Sequence, residues 1–422
     1  MRVLCLIVLF STLLLPANAL LGQCVILPAA AEKAEEWDAV FTQDAPGKGL
    51  LAAGRPGWTG GDSTYSLLLP NGDTAFFFSD SYIAESPTVK GDGTVTRSAN
   101  GLRTTEINCI PPFCDPPASV FSARNSIVVL DRHRKSMRTL VGPKGEQGLS
   151  TSYFKDPADG LNYWMGDVAL LPGDRNARQR LFVFLHKFDG KLQFHGAAVS
   201  ALDPNTLKIE RTVEVKGLPN LDIHWGTGMI AVDGWLYIYG KGARDGKKQV
   251  FVARTKAYDK VEDLAASSAW SAWNGKSWTS GLGSASPIIP APDSISDEFN
   301  VVRLNINGRL TYVFAGIDTT VPWGSWRDIT LYSSCSPQGP FTGKHFIYRM
   351  PEADSFTVPG IGAEVKLKQH LVVYNPHSHP QFTRDGRLLI SYNLNRTHNA
   401  DTIYIDGYRP RFVWVPIAGL KR

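Results

Sequence analysis

Residues 62–80 read DSTYSLLLPNGDTAFFFSD and predict a short β-hairpin. Ser66 to Pro70 is a strand-like run, and Asn71-Gly72 has the composition of a tight hairpin turn. Ala75 to Phe78 then returns with small and aromatic side chains. A polar residue, Asp62, stands nine positions before the turn. The stretch therefore predicts two antiparallel strands preceded by a polar anchor.

The same layout recurs along the chain. His224 stands nine positions before the turn Asp233-Gly234, and Glu298 stands nine positions before Asn307-Gly308. Two less regular copies begin at Asp167 and at His379, and His379 has His377 close by. Five copies with room for about four strands each predict an all-β fold, a five-bladed β-propeller. Two β-sandwich domains are the alternative, but no linker-like change of composition divides the chain.

The composition is that of a globular, turn-rich protein. Of the 422 residues, 43% are apolar and 20% charged, with 39 Gly, 27 Pro, 20 Phe, 14 Tyr and 11 Trp. This balance excludes a disordered chain and favours many short strands over long helices. The formal net charge is +5, and no Lys or Arg run is dense enough to follow a phosphate backbone. We therefore expect no nucleic-acid partner, and we expect a monomer.

The N-terminus has the pattern of a secretory signal. Arg2 precedes an apolar run from Val3 to Leu15, and Ala17-Asn18-Ala19 has the small-x-small form of a cleavage site. We predict a signal peptide over residues 1–19, extending to about 24, and one propeller domain over residues 25–422. A Gly- and Pro-rich insertion lies at about 85–117. The alternatives are a membrane anchor, for which the apolar run is short, and a lipid-modified Cys24. The prediction is a secreted or periplasmic protein with no membrane contact after signal removal.

Four cysteines remain after removal of the signal. Cys109 and Cys114 flank a short loop stiffened by two prolines, so a disulfide between them is the prediction. The pairing of Cys24 and Cys335 stays open. Neither has a second cysteine or a histidine near it in sequence, which argues against a metal site.

The repeat also predicts where the polar residues meet. The first strand of each blade starts, and the second ends, at the same face, so the anchors should ring one mouth of the central channel. Paired carboxylates across a cleft suit glycoside hydrolysis, and aromatic rings suit the apolar faces of sugars. The alternative for each anchor is a structural hydrogen bond to a neighbouring blade. The candidate catalytic residues are Asp62, Asp167, Glu298 and His224. The candidate substrate-binding residues are Trp58, Asp80, Tyr82, Trp164, Trp225, Asp318, Trp323, Trp326, His379 and Asn393.

Two motifs resemble a known group of proteins. The stretch GWTGGDSTYS at 57–66, followed by FSDSY at 78–82, resembles the first blade of secreted five-bladed propellers grouped as domains of unknown function 4185 and 5005. SSCSPQGPF at 333–341 and His379-Pro380 also fit. These families are similar in fold to arabinan- and fructan-cleaving glycosidases. The resemblance implies that Asp62 is the base or nucleophile and that Asp167 orients it or tunes its pKa.

The other two candidate catalytic residues are assigned to the role of general acid. Glu298 is the candidate acid, and His224 is a second candidate because an imidazole of suitable pKa can donate a proton. The predicted function is a glycoside hydrolase-like propeller acting on a furanose-type or plant or microbial cell-wall polysaccharide. The partner is then an oligo- or polysaccharide. No cofactor is required, although channel histidines could hold a structural calcium ion or a water. The alternatives are a lectin-like carbohydrate-binding propeller without catalysis and a scaffold.

Ring closure gives one further expectation. A propeller must seal its ring to remove exposed sheet edges. We predict that residues 37–42, WDAVFT, pair with the last blade, in which residues 411–417, RFVWVPI, form an apolar strand.

Overall fold

The computed structural model describes most of the chain between residues 24 and 421. The described ranges are 24–42, 57–84, 88–89, 95–96, 123–145, 150–171, 179–218, 222–257, 260–322, 325–354, 371–395 and 408–421. The predicted signal peptide, the Cys109 and Cys114 pair, Trp323 and nearly all of the predicted insertion lie outside these ranges.

Blade I comes first in the chain, after one short strand and a helix. Strand β1 spans Glu32–Lys33, and helix α1 spans Glu35–Thr42. The blade consists of β3 (Tyr65–Leu68), β4 (Thr74–Phe78), β8 (Ser126–Leu130) and β9 (Met137–Leu140). The same part of the chain also contains two short antiparallel strand pairs: β2 (Gly57–Gly61) with β5 (Ser81–Ala84), and β6 (Thr88–Val89) with β7 (Val95–Thr96).

Blades II and III follow with consecutive antiparallel strands. Blade II consists of β10 (Asn162–Leu171), β11 (Arg180–Phe188), β12 (Phe194–Leu202) and β13 (Ile209–Glu214). Blade III consists of β14 (Ile223–Val232), β15 (Trp235–Arg244), β16 (Lys247–Lys256), β17 (Ser271–Trp273) and β18 (Trp278–Ser280). Helix α2 (Val261–Leu264) and the 3₁₀ turn Ser267–Ala269 connect β16 to β17.

Blades IV and V complete the ring. Blade IV consists of β19 (Asn300–Ile306), β20 (Arg309–Ile317), β21 (Asp328–Ser334) and β22 (Thr342–Arg349), followed by the 3₁₀ turn Pro351–Ala353. Blade V consists of β23 (Val372–Arg384), β24 (Arg387–Asn395), β25 (Arg411–Pro416) and, as its fourth strand, β1. The last strand, β26 (Leu420–Lys421), pairs with β19 of blade IV. The fold is a five-bladed β-propeller, which confirms the predicted fold class.

The predicted turns explain the inner hairpins. Asp233 and Gly234 have φ of 49° and 75°, and Asn307 and Gly308 have φ of 54° and 80°. Two consecutive positive φ values define the two-residue turn whose twist matches a β-hairpin, and Asn-Gly and Asp-Gly sequences adopt it most readily. The first hairpin has a longer loop, which is closed by a hydrogen bond from Leu69 N to Asp73 O.

The core lies in the seams between blades. Along β4, Ala75 and Phe77 pack against blade II, whereas Phe76 and Phe78 pack against blade V. Alternate side chains point to opposite faces of a strand, so a strand buried on both faces is apolar throughout. This explains the run AFFF that follows the first turn. Seam clusters of this kind join each blade to the next and join blade V to blade I.

The ring closes through the N-terminal segment, but not as predicted. Strand β1 pairs with β25, Glu32 opposite Trp414 and Lys33 opposite Val413, so the pairing residues precede the predicted 37–42. Residues 37–42 belong to helix α1. Trp37 and Phe41, four residues apart and fully buried, share one helical face and pack on Phe412. The predicted strand pairing of 37–42 is therefore wrong: the segment covers the last blade as a helix, whose first turn contains the acidic residues Glu35, Glu36 and Asp38 that favour a helix N-terminus.

A disulfide also fixes the N-terminal segment. Cys24 is bonded to Cys335, directly after β21, across 311 residues of sequence. Cys24 and Cys335, whose pairing the sequence left open, are therefore bonded to each other. A Cys24 sulfur in this disulfide cannot also carry a thioether-linked lipid. Among the described residues, no helix is long and apolar enough to cross a membrane.

Candidate active site

A cavity of about 580 Å³ opens at one end of the central channel. Its walls come from residues before the first strand of a blade, such as Asp62 and Glu298, and from the ends of second strands, such as Lys241 and Asn395. This is the mouth that the repeat predicted. The lining residues with polar or aromatic side chains include Asp62, Asp80, Arg124, Asn162, Trp164, His186, Phe188, His224, Lys241, Asp297, Glu298, Trp326, Tyr374, Asn395 and Tyr408.

Asp62 lies three residues before β3, partly buried at the cavity wall. The hydroxyl of Tyr374, from the first strand of blade V, donates to its Oδ2 at 2.9 Å. Burial raises the pKa of Asp62 to about 6, and the hydroxyls of Tyr374 and Tyr408 partly oppose that rise. The carboxylate is therefore ionised near neutral pH.

Glu298 reaches the same cavity from blade IV, two residues before β19. Its Oε1 is 3.0 Å from Ser63 Oγ, and its Oε2 is 4.0 Å from Nε2 of the buried His377. Burial raises the pKa of Glu298 well above its usual value, and the charge of Asp62 adds to that effect. Glu298 is therefore the carboxyl that retains its proton while Asp62 is ionised.

Asp80 follows β4 and lines the cavity beside Asp62. Arg124 Nη1 lies 3.3 Å from its Oδ1, and the residue is 7% exposed. Burial and the charge of Asp62 raise the pKa of Asp80 to about 7, and Arg124 opposes this. Asp80 shares its proton equilibrium with Asp62, so the two carboxyls titrate as a pair.

Asp297 is a fourth carboxylate of the cavity, and the sequence reasoning missed it. Lys241 Nζ lies 2.9 Å from Oδ1, and Lys248 contacts Oδ2. Burial alone would raise the pKa of Asp297, but the two lysines hold it below its usual value. Asp297 is thus a permanent anion paired with cations, unlike its neighbour Glu298.

Asp167 does not line the cavity. It lies in a bulge of β10 between Met165 and Val168, and its carboxyl accepts hydrogen bonds from Val168 N at 2.8 Å and Met229 N at 2.7 Å. Burial raises its pKa to about 7. The side chain joins blade II to blade III, and its charge reaches the site only by raising the pKa of Glu298.

His224 lines the cavity, but its surroundings do not suit an acid. Its ring stacks on Phe194 at 4.1 Å between centroids, and burial together with Lys241 lowers its pKa to about 2. Nε2 of the neighbouring His186 donates to Trp225 O, 3.0 Å away, and burial lowers the pKa of His186 to about 4. Both imidazoles are neutral near neutral pH, so His224 lacks the second, acidic proton of an imidazolium that a general acid would donate.

The predicted aromatic residues divide into two groups. Trp164 and Trp326 line the cavity. Trp58 and Trp225 are instead 0% and 1% exposed in the seams between blades, and Tyr82 is buried against Tyr408. The structure places these three in the protein core rather than at the cavity: Trp58 and Trp225 belong to seam clusters, and Tyr82 packs behind the cavity-lining Tyr408.

Three polar residues that were predicted to bind substrate also lie outside the cavity. Asp318 pairs with Lys344 at 3.0 Å, outside the cavity. His379 is fully buried, with Nδ1 2.6 Å from Ser66 Oγ, and Asn393 donates to Thr64 Oγ1 at 2.9 Å. The last two join blade V to blade I, which is the structural role weighed as the alternative.

Sequence reasoning missed Tyr374, Ser63, Arg124 and Tyr408 as well as Asp297. The one available signal was position: Ser63 and Asp297 are adjacent to predicted anchors. Within the described ranges, no group of three or more His, Cys, Asp or Glu side chains is arranged to hold a metal ion. A structural calcium or water in the channel stays a prediction.

Comparison with known sequences assigns the family. The profile of the family described as "Domain of unknown function (DUF5005)" matches residues 50–416. The chain belongs to the DUF5005 family. This confirms the resemblance found at residues 57–66 and 78–82. No curated protein matches the DUF5005 chain.

Solved structures share the DUF5005 chain's fold. A putative hydrolase from Bacteroides ovatus ATCC 8483 matches with a TM-score of 0.60 and 20% identity, over 91% of this chain and 90% of that one. An α-L-arabinofuranosidase from Podospora anserina matches with a TM-score of 0.42 and 9% identity, over 94% and 98%. A xylan β-1,4-xylosidase from Bacillus halodurans C-125 matches with a TM-score of 0.41 and 11% identity, over 86% and 53%. The match to the Bacteroides ovatus protein shows a shared fold.

Proposed function

We propose that this protein is a glycoside hydrolase whose general acid is Glu298 and whose base or nucleophile is Asp62. The observation that carries the proposal is a pair of carboxyls in one cavity with unequal proton affinities. Asp62 has a pKa of about 6, whereas the pKa of Glu298 is held well above its usual value. Separated pKa values of this kind assign the acid and the base of such a pair.

The chemistry follows from these protonation states. The Glu298 carboxyl donates its proton to the glycosidic oxygen, and the bond from that oxygen to the anomeric carbon breaks. The Asp62 carboxylate either removes a proton from the attacking water or attacks the anomeric carbon itself. The Tyr374 hydroxyl stabilises the ionised form of Asp62 by donating to Oδ2.

The remaining walls suit a sugar. Trp164 and Trp326 offer aromatic surface, while Asp80 and Arg124 offer acceptors and donors for hydroxyl groups. Sugar sites combine apolar faces with a few oriented polar groups, and a cavity of about 580 Å³ lies within the usual size for small ligands. The family resemblance supports a furanose-type or cell-wall polysaccharide as the substrate class.

The experiment is a screen of arabinan, fructan, galactan and xylan oligosaccharides for release of reducing sugar. Asp62→Asn and Glu298→Gln should lower turnover by about 10²–10⁴-fold, because each removes a proton-transfer group. Asp318→Asn is the matched control, since Asp318 is paired with Lys344 away from the cavity. Tight binding of a saccharide without turnover by the wild type would instead favour the lectin-like alternative. Near-normal turnover in either cavity variant would remove that residue from the mechanism.

A further inference from the structure

A second cavity, of about 230 Å³, lies in the seam between blades V and I. It is lined by the β3–β4 turn, the β8–β9 turn, the end of β23, Trp37 of α1 and Trp414 of β25. The inner hairpins turn at the face opposite the candidate active site, so this cavity is on the other side of the propeller. The proposed hydrolysis makes no use of it.

Buried hydrogen-bond donors without acceptors line this second cavity. Trp37 is 0% exposed, and its Nε1 has no partner among the described residues. The same is true of Arg384 Nε and of the Thr383 hydroxyl, which is 5% exposed. Indole and guanidinium nitrogens only donate, so Trp37 Nε1 and Arg384 Nε each lack an acceptor. A buried donor left unpaired is costly, which favours a ligand that supplies the acceptor.

Two further guanidiniums stand at the rim. Arg132 and Arg134 belong to the β8–β9 turn, are exposed, and form no ion pair within the part of the chain that the structure describes. The guanidinium of Arg134 lies over the Trp37 ring, 5.3 Å from its centroid. Arg134 therefore places a positive charge over the ring of the unpaired indole.

The nearby carboxylates are already engaged. Asp131 accepts from the backbone N–H groups of His133, Lys135 and Ser136 within its own turn. Glu36 Oε1 accepts from Trp414 Nε1 at 2.8 Å and contacts Arg384 Nη2. Asp73 Oδ1 likewise accepts from Arg132 N at 3.1 Å, and none of these three acids accepts a hydrogen bond from the orphaned donors.

We propose that this cavity binds an oxyanion group, a carboxylate, sulfate or phosphate, through Arg132, Arg134 and the indole N–H of Trp37. Such groups present several acceptor oxygens at once, and guanidinium nitrogens recognise them in pairs. The cavity is smaller than most sites for drug-sized ligands, which limits the bound part to one such group or a single acidic sugar. The oxyanion is either a free ion or a substituent of an acidic saccharide.

The test follows the indole N–H of Trp37 by ¹H–¹⁵N spectroscopy of the full chain, with the resonance assigned from Trp37→Phe. Sodium sulfate, sodium phosphate and galacturonate are added separately, with sodium chloride at equal ionic strength as reference. Arg132→Gln combined with Arg134→Gln removes the rim charges, and Arg303→Gln removes an exposed arginine of blade IV as the matched control.

We expect the Trp37 resonance to move with at least one oxyanion and not with chloride, and the double variant to bind at least about tenfold more weakly, equivalent to about 1.4 kcal/mol. Arg303→Gln should bind like the wild type. Comparable binding of the inorganic ions identifies a free oxyanion site, whereas binding of galacturonate alone identifies an acidic-saccharide site. No movement with any oxyanion, an equal response to chloride, or wild-type binding by the double variant overturns the proposal. None of these readouts depends on glycosidase activity.

Discussion

Ser63 Oγ lies 3.0 Å from Glu298 Oε1, so the residue next to the proposed base contacts the proposed acid across the channel. Ser63 and Thr64 have φ of 72° and 55°, a conformation that non-glycine residues rarely adopt. Hydrogen bonds hold it in place: Ser63 contacts Ser79 Oγ at 2.7 Å, and Thr64 accepts from Asn393. Strained backbone of this kind is kept where its neighbours determine it, often at functional sites. Here it fixes Asp62 relative to Glu298.

Ser63→Ala should therefore change the proton affinity of Glu298. The hydroxyl opposes the rise in the pKa of Glu298, so its loss should raise that pKa further. The alkaline limb of kcat/KM should move up by about one pH unit, the equivalent of a hydrogen bond of about 1 kcal/mol. Ser66→Ala is the control, because Ser66 contacts His379 and not the cavity. If the alkaline limb of kcat/KM does not move in Ser63→Ala, then Ser63 has only a structural role.

Tyr374→Phe should act on the other carboxyl. The Tyr374 hydroxyl donates to Asp62 Oδ2 and lowers the pKa of Asp62, so its removal should raise that pKa. The acid limb of the pH profile should move up by about one pH unit, and turnover below the optimum should fall by about tenfold. Tyr237→Phe, whose ring packs against Trp278 in the seam between blades III and IV, should leave the profile unchanged. A shift in the alkaline limb instead would contradict the assignment of Asp62 as base.

The proposed activity of the wild-type protein should have a bell-shaped pH profile. Activity should rise as the Asp62 and Asp80 pair ionises through about pH 6 to 7, and it should fall when Glu298 loses its proton. The measurement is kcat/KM from about pH 4 to about pH 9 with the best substrate of the screen. Full activity at about pH 4, where Asp62 would be protonated, contradicts this prediction.

Asp167 should make stability depend on pH. Its pKa of about 7 is above the value of an unfolded Asp, so the folded state binds the extra proton. Its contribution to stability is fully present below about pH 4 and is lost as the pH rises through about 7. Asp167→Asn should therefore reduce the loss of unfolding free energy between pH 5 and 8 by on the order of 2 kcal/mol.

Urea unfolding at those two pH values measures this effect. Asp245→Asn is the control, since Asp245 is exposed in a hairpin turn that Asn also tolerates. An equal pH dependence in the wild type and Asp167→Asn would mean that Asp167 is already ionised in the folded protein at the lower pH.

The Cys24–Cys335 disulfide should stabilise the closed ring. It closes a loop of 311 residues, and the chain-entropy relation gives loops of that order about 5–6 kcal/mol from restriction of the unfolded chain. Cys24→Ser and Cys335→Ser should each lower the midpoint of thermal unfolding by several degrees. The double variant should lose no more than either single variant, because both remove the same bond. Additive losses would show that the two cysteines act separately.

The sequence by itself determined the propeller and the position of its mouth. Hairpins with turns such as Asp233-Gly234 are local, so spacing along the chain reports them directly. The recurrence of a polar anchor before such hairpins then placed Asp62 and Glu298 at one face. Both line the cavity, because strand direction alone decides which ends meet. Helix α1 was missed because a short segment that closes a ring can do so by packing as well as by strand pairing.

Only the tertiary structure decided which polar and aromatic side chains reach the cavity. Tyr374 contacts Asp62 across 312 residues, and Ser63 contacts Glu298 across 235, so no local spacing connects them. Asp167 was predicted at the mouth, but a bulge in β10 turns its carboxyl to the backbone of blade III. Trp58 and Trp225 are buried in seams for a related reason. In a strand covered on both faces, a shift of one residue in register moves a side chain from one seam to the other. Apolar residues occupy both seams, so the sequence pattern does not show which side chains reach the cavity.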